Sequence, residues 1–179
     1  MAAGEVSHRV SFPDDREQII LVRSEFPVSG PVTELIMPNW TPGSYLIREY
    51  AANINRITAM SADGSTLPLR KISKDRWQVS SGEADTLVID YEVFTPDLKV
   101  STSWASRRFS LINGASVFLY TTPTRELPQR LNIVNDADRG ESFSAMLPAP
   151  DGVGYLAENY DELVDNPVGV AKALSLIHI

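Results

Sequence analysis

The sequence predicts an all-β fold: an antiparallel β-sandwich with an open, saddle-like extension and a short helical turn near the C-terminus. Apolar and polar residues alternate with period two along most of the chain, as on a strand with one buried face. Turn formers punctuate that alternation at Pro13-Asp14-Asp15, Ser29-Gly30-Pro31, Asp63-Gly64, Ser81-Gly82 and Asn113-Gly114. Helical periodicity hardly appears before residue 157. Many short strands with marked turns point to two packed sheets.

In chain order, strands are expected over 6–12, 18–26, 33–37, 54–60, 66–71, 76–79, 86–94, 109–111, 116–121, 131–134 and 142–146. The clearest is 86–94, where Leu87, Ile89, Tyr91 and Val93 face one way and Asp90 and Glu92 the other, giving one wet face. Asp63-Gly64 and Asn113-Gly114 each stand between two such runs and read as hairpin turns. The segment Glu158–Asp165 reads as a short helical turn, capped by Asn159 and stopped before Asn166-Pro167. Domain organisation follows: a β domain over 1–157, the start of a connection to a further domain over 158–173, and a separate tail over 174–179.

Composition excludes several function classes. The chain has no cysteine, which removes disulfides, zinc ribbons, thiol nucleophiles and iron–sulfur clusters. Its two histidines, His8 and His178, stand at opposite ends, and no H-E-x-x-H motif is present. No catalytic residue, metal ligand or cofactor-binding residue can therefore be named in this chain. His8 shares a strand face with Val6, Val10 and Phe12 and reads as a partly buried, hydrogen-bonded side chain rather than a ligand. The net charge of −7 is spread along the chain, and the basic pairs Arg70-Lys71 and Arg107-Arg108 are separated by carboxylates. No basic stripe for nucleic acid results. No apolar run is long enough to span a bilayer, and the first residues lack a secretory signal, so no membrane partner and a cytoplasmic location are expected. The final Leu174-Ser175-Leu176-Ile177-His178-Ile179 is similar to the translated end of a common sequencing adapter. The natural sequence is thus expected to end near Ala173, as a truncated reading frame.

The most distinctive stretch is Pro38-Asn39-Trp40-Thr41-Pro42-Gly43-Ser44-Tyr45-Leu46-Ile47-Arg48. Pro42 presets φ for the second position of a turn, and Gly43 accepts the positive φ that a type II turn needs at the third. Thr41–Ser44 is therefore a tight, pre-organised reversal flanked by Trp40 and Tyr45, each with a large apolar body and one polar tip. Two readings follow. The aromatics plug the end of the sandwich as a structural corner, or they display a binding platform. From the residues alone the corner is favoured.

This stretch closely resembles the N-terminal domain of the glycyl aminopeptidase family, metallopeptidase family 61. The hallmark there is a Pro-x-Trp-Thr-Pro-Gly-Ser-Tyr segment followed by an Arg and a small residue. Further segments are similar: the Asp63-Gly64 hairpin through Trp77-Gln78-Val79, the strand Leu87–Val93, the run Asn113-Gly114-Ala115-Ser116-Val117-Phe118, and Tyr160-Asp161-Glu162-Leu163-Val164-Asp165-Asn166-Pro167-Val168. The match covers essentially 6–168. One departure is Asn135–Gly140, where the family often has a Gly-Trp. The family's zinc-binding helix and general base lie in the domain that follows and have no counterpart here.

The resemblance implies a non-catalytic N-terminal β domain of a zinc-dependent aminopeptidase that removes N-terminal residues, with a preference for small ones such as glycine. Its partners would be the catalytic domain of the same polypeptide, which would hold the zinc, and a peptide substrate. Trp40, Thr41, Pro42, Gly43, Ser44, Tyr45, Arg48, Tyr160, Asp161 and Asp165 become the candidate substrate-cleft or domain-interface residues. The rival is a stand-alone sandwich module that recognises peptide or sugar through Trp40, Tyr45 and Trp104.

Overall fold

The computed structural model describes residues 4–13, 16–28, 30–41, 45–99, 101–134 and 139–172. In chain order the strands are β1 (Val6–Ser11), β2 (Ile19–Pro27), β3 (Thr33–Ile36), β4 (Ile54–Ser61), β5 (Leu69–Lys71), β6 (Arg76–Val79), β7 (Thr86–Phe94), β8 (Trp104–Ala105) and β9 (Phe109–Ile112). They continue with β10 (Gln129–Ile133), β11 (Glu141–Phe143), β12 (Leu147–Pro148), β13 (Tyr155–Ala157) and β14 (Val168–Ala171), and one helix, α1 (Tyr160–Asp165), precedes the last strand. Three sheets result: β12-β13-β10-β1-β2-β7-β4, β11-β14-β9-β8 and β3-β6-β5. The all-β sandwich class is as expected. Pairing is antiparallel throughout these sheets except that β1 lies parallel to β10, with His8 opposite Leu131.

Alternation decides the central strands. Val6, His8 and Val10 on β1, Ile20, Val22 and Phe26 on β2, and Leu87, Ile89, Tyr91 and Val93 on β7 are buried. The opposite face carries Arg23 paired across the ladder with Asp90, and Glu92 held by Arg16 and Arg56. One apolar cluster joins these residues to Leu35, Trp77 and Val79 of the three-stranded sheet and to Ile112, Val168 and Val170 of the four-stranded one.

His8 is fully buried, more than expected, and its hydrogen bonds are complete. Gln129 donates both amide hydrogens, to the carbonyls of Thr124 (3.1 Å) and Leu127 (2.7 Å), which leaves its Oε1 facing His8. The imidazole therefore donates from Nε2 to Gln129 Oε1 (3.1 Å) and accepts at Nδ1 from the Ser24 hydroxyl (2.8 Å). Burial disfavours the cation and lowers the pKa from 6.5 to about 4.

Several expectations are corrected. At Asp63-Gly64 a tight turn does form, with Gly64 at φ 87° and Met60 bridged to Thr66. The chain then crosses over, because β5 pairs with β6 in another sheet. The expected strand 66–71 shrinks to β5. Asn113-Gly114 does not make a hairpin, and 116–121 is not a strand. Gly114–Ser116 is a 3₁₀ turn, and only Tyr120 in the run that follows pairs, with Ile36. Gly114 serves close approach instead: a Cβ there would sit 2.8 Å from the Val164 Cα and 3.0 Å from the Leu163 carbonyl oxygen of α1. Of the expected strand 142–146 only Ser142 and Phe143 lie in a strand, β11, while β8, β12, β13 and β14 arise where none was expected. Tyr160 and Leu163 of α1 are buried in the core, and β14 returns to pair with both β9 and β11. The tail 174–179 and the loop 135–138 lie outside the described residues.

Candidate functional site: an aromatic cleft beside the helix

Two segments more than a hundred residues apart meet in one open cleft of about 930 Å³. One is the stretch leaving β3, which contributes Trp40, Thr41, Tyr45 and Arg48; the other is α1 with Tyr160, Asp161 and Asp165. All seven were singled out from the sequence. Pro42, Gly43 and Ser44, the centre of the expected turn, lie outside the described residues.

Backbone pairing brings the two segments together. Ile36, the last residue of β3, exchanges both hydrogen bonds with Tyr120 (2.8 and 3.0 Å), and the next residue, Met37, donates to the Asp75 carbonyl (2.9 Å). The Tyr120 ring packs on Tyr160 with centroids 4.7 Å apart. Tyr160 N–H donates to the Arg125 carbonyl (2.9 Å), and its hydroxyl donates to the Phe118 carbonyl (2.7 Å). Burial pushes that phenol's pKa up. The helix start is capped as expected: the Asn159 side chain accepts from Glu162 N–H (3.0 Å), and the Glu162 carboxylate returns to accept from Glu158 N–H. Asp161 and Glu162 occupy the first turn, where negative charge is favoured.

The loop leaving β3 closes on itself where Arg48 N–H donates to the Asn39 carbonyl at 2.7 Å. What it carries is exposed. Trp40 is 51% exposed, and Tyr45, Leu46 and Ile47 stand out further. The favoured corner reading is therefore corrected: these aromatics do not plug the sandwich, because the 117–119 segment and Tyr160 already fill its interior.

The cleft's charges differ in their partners. Arg125, which the sequence reading missed, donates from one terminal nitrogen to both carboxylate oxygens of Asp161 (2.8 and 3.0 Å). The hydrogen bonds Asp161 accepts from Arg125, and its negative charge, hold the guanidinium's pKa above its ordinary value. Arg48 is different. Its Nε is buried and meets no acceptor, and no described carboxylate forms an ion pair with it. A buried, unmatched N–H of a charged group costs about 1–3 kcal/mol. Tyr120 and Arg125 could not be found from spacing, since their place in the cleft depends on the bridge to Ile36. Trp104 lies on β8 and does not line the cleft, so the three-aromatic platform is not assembled. Among the described residues no group of three His, Cys, Asp or Glu side chains is placed to hold a metal ion. No described helix is long and apolar enough to cross a membrane.

Comparison with known proteins agrees with this architecture. The family model for the peptidase M61 N-terminal domain matches residues 7–172. The crystal structure of an aminopeptidase N family protein from Idiomarina loihiensis superposes with a TM-score of 0.83 at 27% identity, over 93% of this chain and 29% of that one. An M1 zinc metallopeptidase mutant from Deinococcus radiodurans, bound to a Tyr-Ser-Ala substrate, superposes at 0.52 with 9% identity, over 94% of this chain and 42% of that one, a likeness of fold alone. No curated protein shows detectable similarity. The chain thus spans under a third of the first of these proteins and about two fifths of the second. With its strand order, capped helix and cleft accounted for, the chain belongs to the family of peptidase M61 N-terminal domains.

Proposed function

We propose that this domain is the non-catalytic N-terminal part of a longer zinc aminopeptidase and forms one wall of its peptide cleft. The zinc and the general base would reside in the catalytic domain of the same polypeptide, and the enzyme would remove small N-terminal residues such as glycine. The observation that carries the reading is the convergence of the Trp40–Arg48 loop and α1 on one cleft. Exposed aromatic surface beside fixed polar groups is what a peptide-binding wall needs, and sites prefer domain boundaries. The chain's own contribution would be binding and orientation: Trp40 and Tyr45 offer faces to substrate side chains, and the Arg125–Asp161 pair keeps α1 in register with the loop before β10.

Hydrogen exchange on the longer enzyme tests this. Adding a slowly cleaved glycyl peptide should slow exchange in 38–48 and 160–167 together. Protection confined to the catalytic domain would refute the cleft-wall role.

A further inference from the structure

We infer that Arg48 is a carboxylate-binding residue of the cleft, one that receives a carboxylate of a short peptide. The inference rests on the cleft-wall reading and adds a specificity to it.

Arg48 differs from every other described cation around the cleft. Arg125 is neutralised by Asp161, Lys74 by Glu49 at 2.8 Å, and Lys71 lies over the Trp77 ring at 4.7 Å. Arg48 lines both this cleft and the adjoining one of about 610 Å³, so it stands on the partition between them. Its backbone is pinned by the hydrogen bond to Asn39, yet its buried Nε has no acceptor. Its planar fork of donors matches a carboxylate with two parallel hydrogen bonds. A carboxylate entering from the open side would meet the terminal guanidinium nitrogens, which are not among the buried unmatched atoms, and balance the charge. The exposed aromatics Trp40 and Tyr45 on the same loop would cover the peptide's remaining surface. Such a carboxylate comes either from the peptide's C-terminus or from an acidic side chain, and the chemistry at Arg48 is the same.

The test is a titration of the isotope-labelled 179-residue chain with three probes: triglycine, triglycine amide, and Gly-Glu-Gly amide. Two resonances report, the Arg48 Nε–H and the Trp40 indole N–H. Triglycine should shift both, and its amide should bind at least about tenfold more weakly, as expected for loss of a charge-assisted pair. Recovery with Gly-Glu-Gly amide would support the inference and extend the source to side chains; no recovery would support it with the C-terminal carboxylate as the source. Arg48→Gln should abolish the preference for triglycine over its amide, and Arg48→Lys, which keeps the charge without the fork, should retain part of it. Equal binding of triglycine and its amide, with Trp40 shifting in both, would overturn the role of Arg48 and leave the cleft reading standing. No shift at either resonance with any probe would overturn both.

Discussion

Tyr91 and Tyr160 hold neighbouring carbonyls of one irregular segment: Tyr91 donates to Val117 O at 3.0 Å and Tyr160 to Phe118 O at 2.7 Å. Tyr91 projects from the central strand β7 and Tyr160 from α1, so the segment is clamped between sheet and helix. The Tyr91 hydroxyl also accepts from Leu119 N–H (3.3 Å), while Val117 and Phe118 N–H both donate to Gly114 O. Backbone groups that a sheet would have paired are met by side chains and a turn. Tyr160→Phe should therefore destabilise the domain by about 1–2 kcal/mol, because it strands a buried carbonyl. Urea unfolding measures this, and a change under ~0.3 kcal/mol would mean the bond contributes little.

That clamp explains why 116–121 misled the sequence reading. Its composition is strand-like, but two hydroxyls from distant elements take over its polar groups, and no local pattern announces them. β7 was legible for the opposite reason: nine residues alternate without interruption and pair on both sides. Asn159 was legible as a cap because capping is a local property. β14 was not, since Val168–Ala171 is fully buried over its first three residues and shows no alternation to read. The cleft was half legible. The Trp40–Arg48 and Tyr160–Asp165 segments stood out as motifs, whereas Arg125 and Tyr120 join them only through tertiary pairing.

Gly114→Ala tests how closely the 3₁₀ turn approaches α1. The added methyl would meet backbone at 2.8 Å, which cannot give way without moving the helix. The expected loss is about 1–3 kcal/mol, read by chemical denaturation. A neutral result would show that α1 shifts freely.

Stability should fall with acid because of His8. In the unfolded chain an imidazole takes its proton near pH 6.5, whereas the folded His8 resists until about pH 4. Between these values the unfolded state binds more protons, so stability present above pH 6.5 is lost as pH falls and levels off below about 4. The total should be on the order of 3 kcal/mol. Urea midpoints across the window, beside His8→Asn, should show a slope in the parent that the variant lacks. Equal slopes would refute the assignment.

The Arg125–Asp161 pair is half exposed on both sides (47% and 57%), so its contribution to stability should be small. A double-mutant cycle of Arg125→Ala and Asp161→Ala should give a coupling of about 0.3–1 kcal/mol that shrinks in high salt. A larger, salt-independent coupling would mean the pair is shielded more than its exposure indicates.

Trp40→Ala, assayed in the longer aminopeptidase proposed above, tests the cleft-wall reading most directly. A half-exposed indole should be dispensable for folding, so the melting temperature should move by less than roughly 2 °C. Its removal should raise KM for peptides by about tenfold while kcat stays nearly constant, as for lost binding away from the bond being cleaved. Unchanged KM and kcat, or a melting temperature that falls by many degrees, would contradict the account and return Trp40 to a structural role.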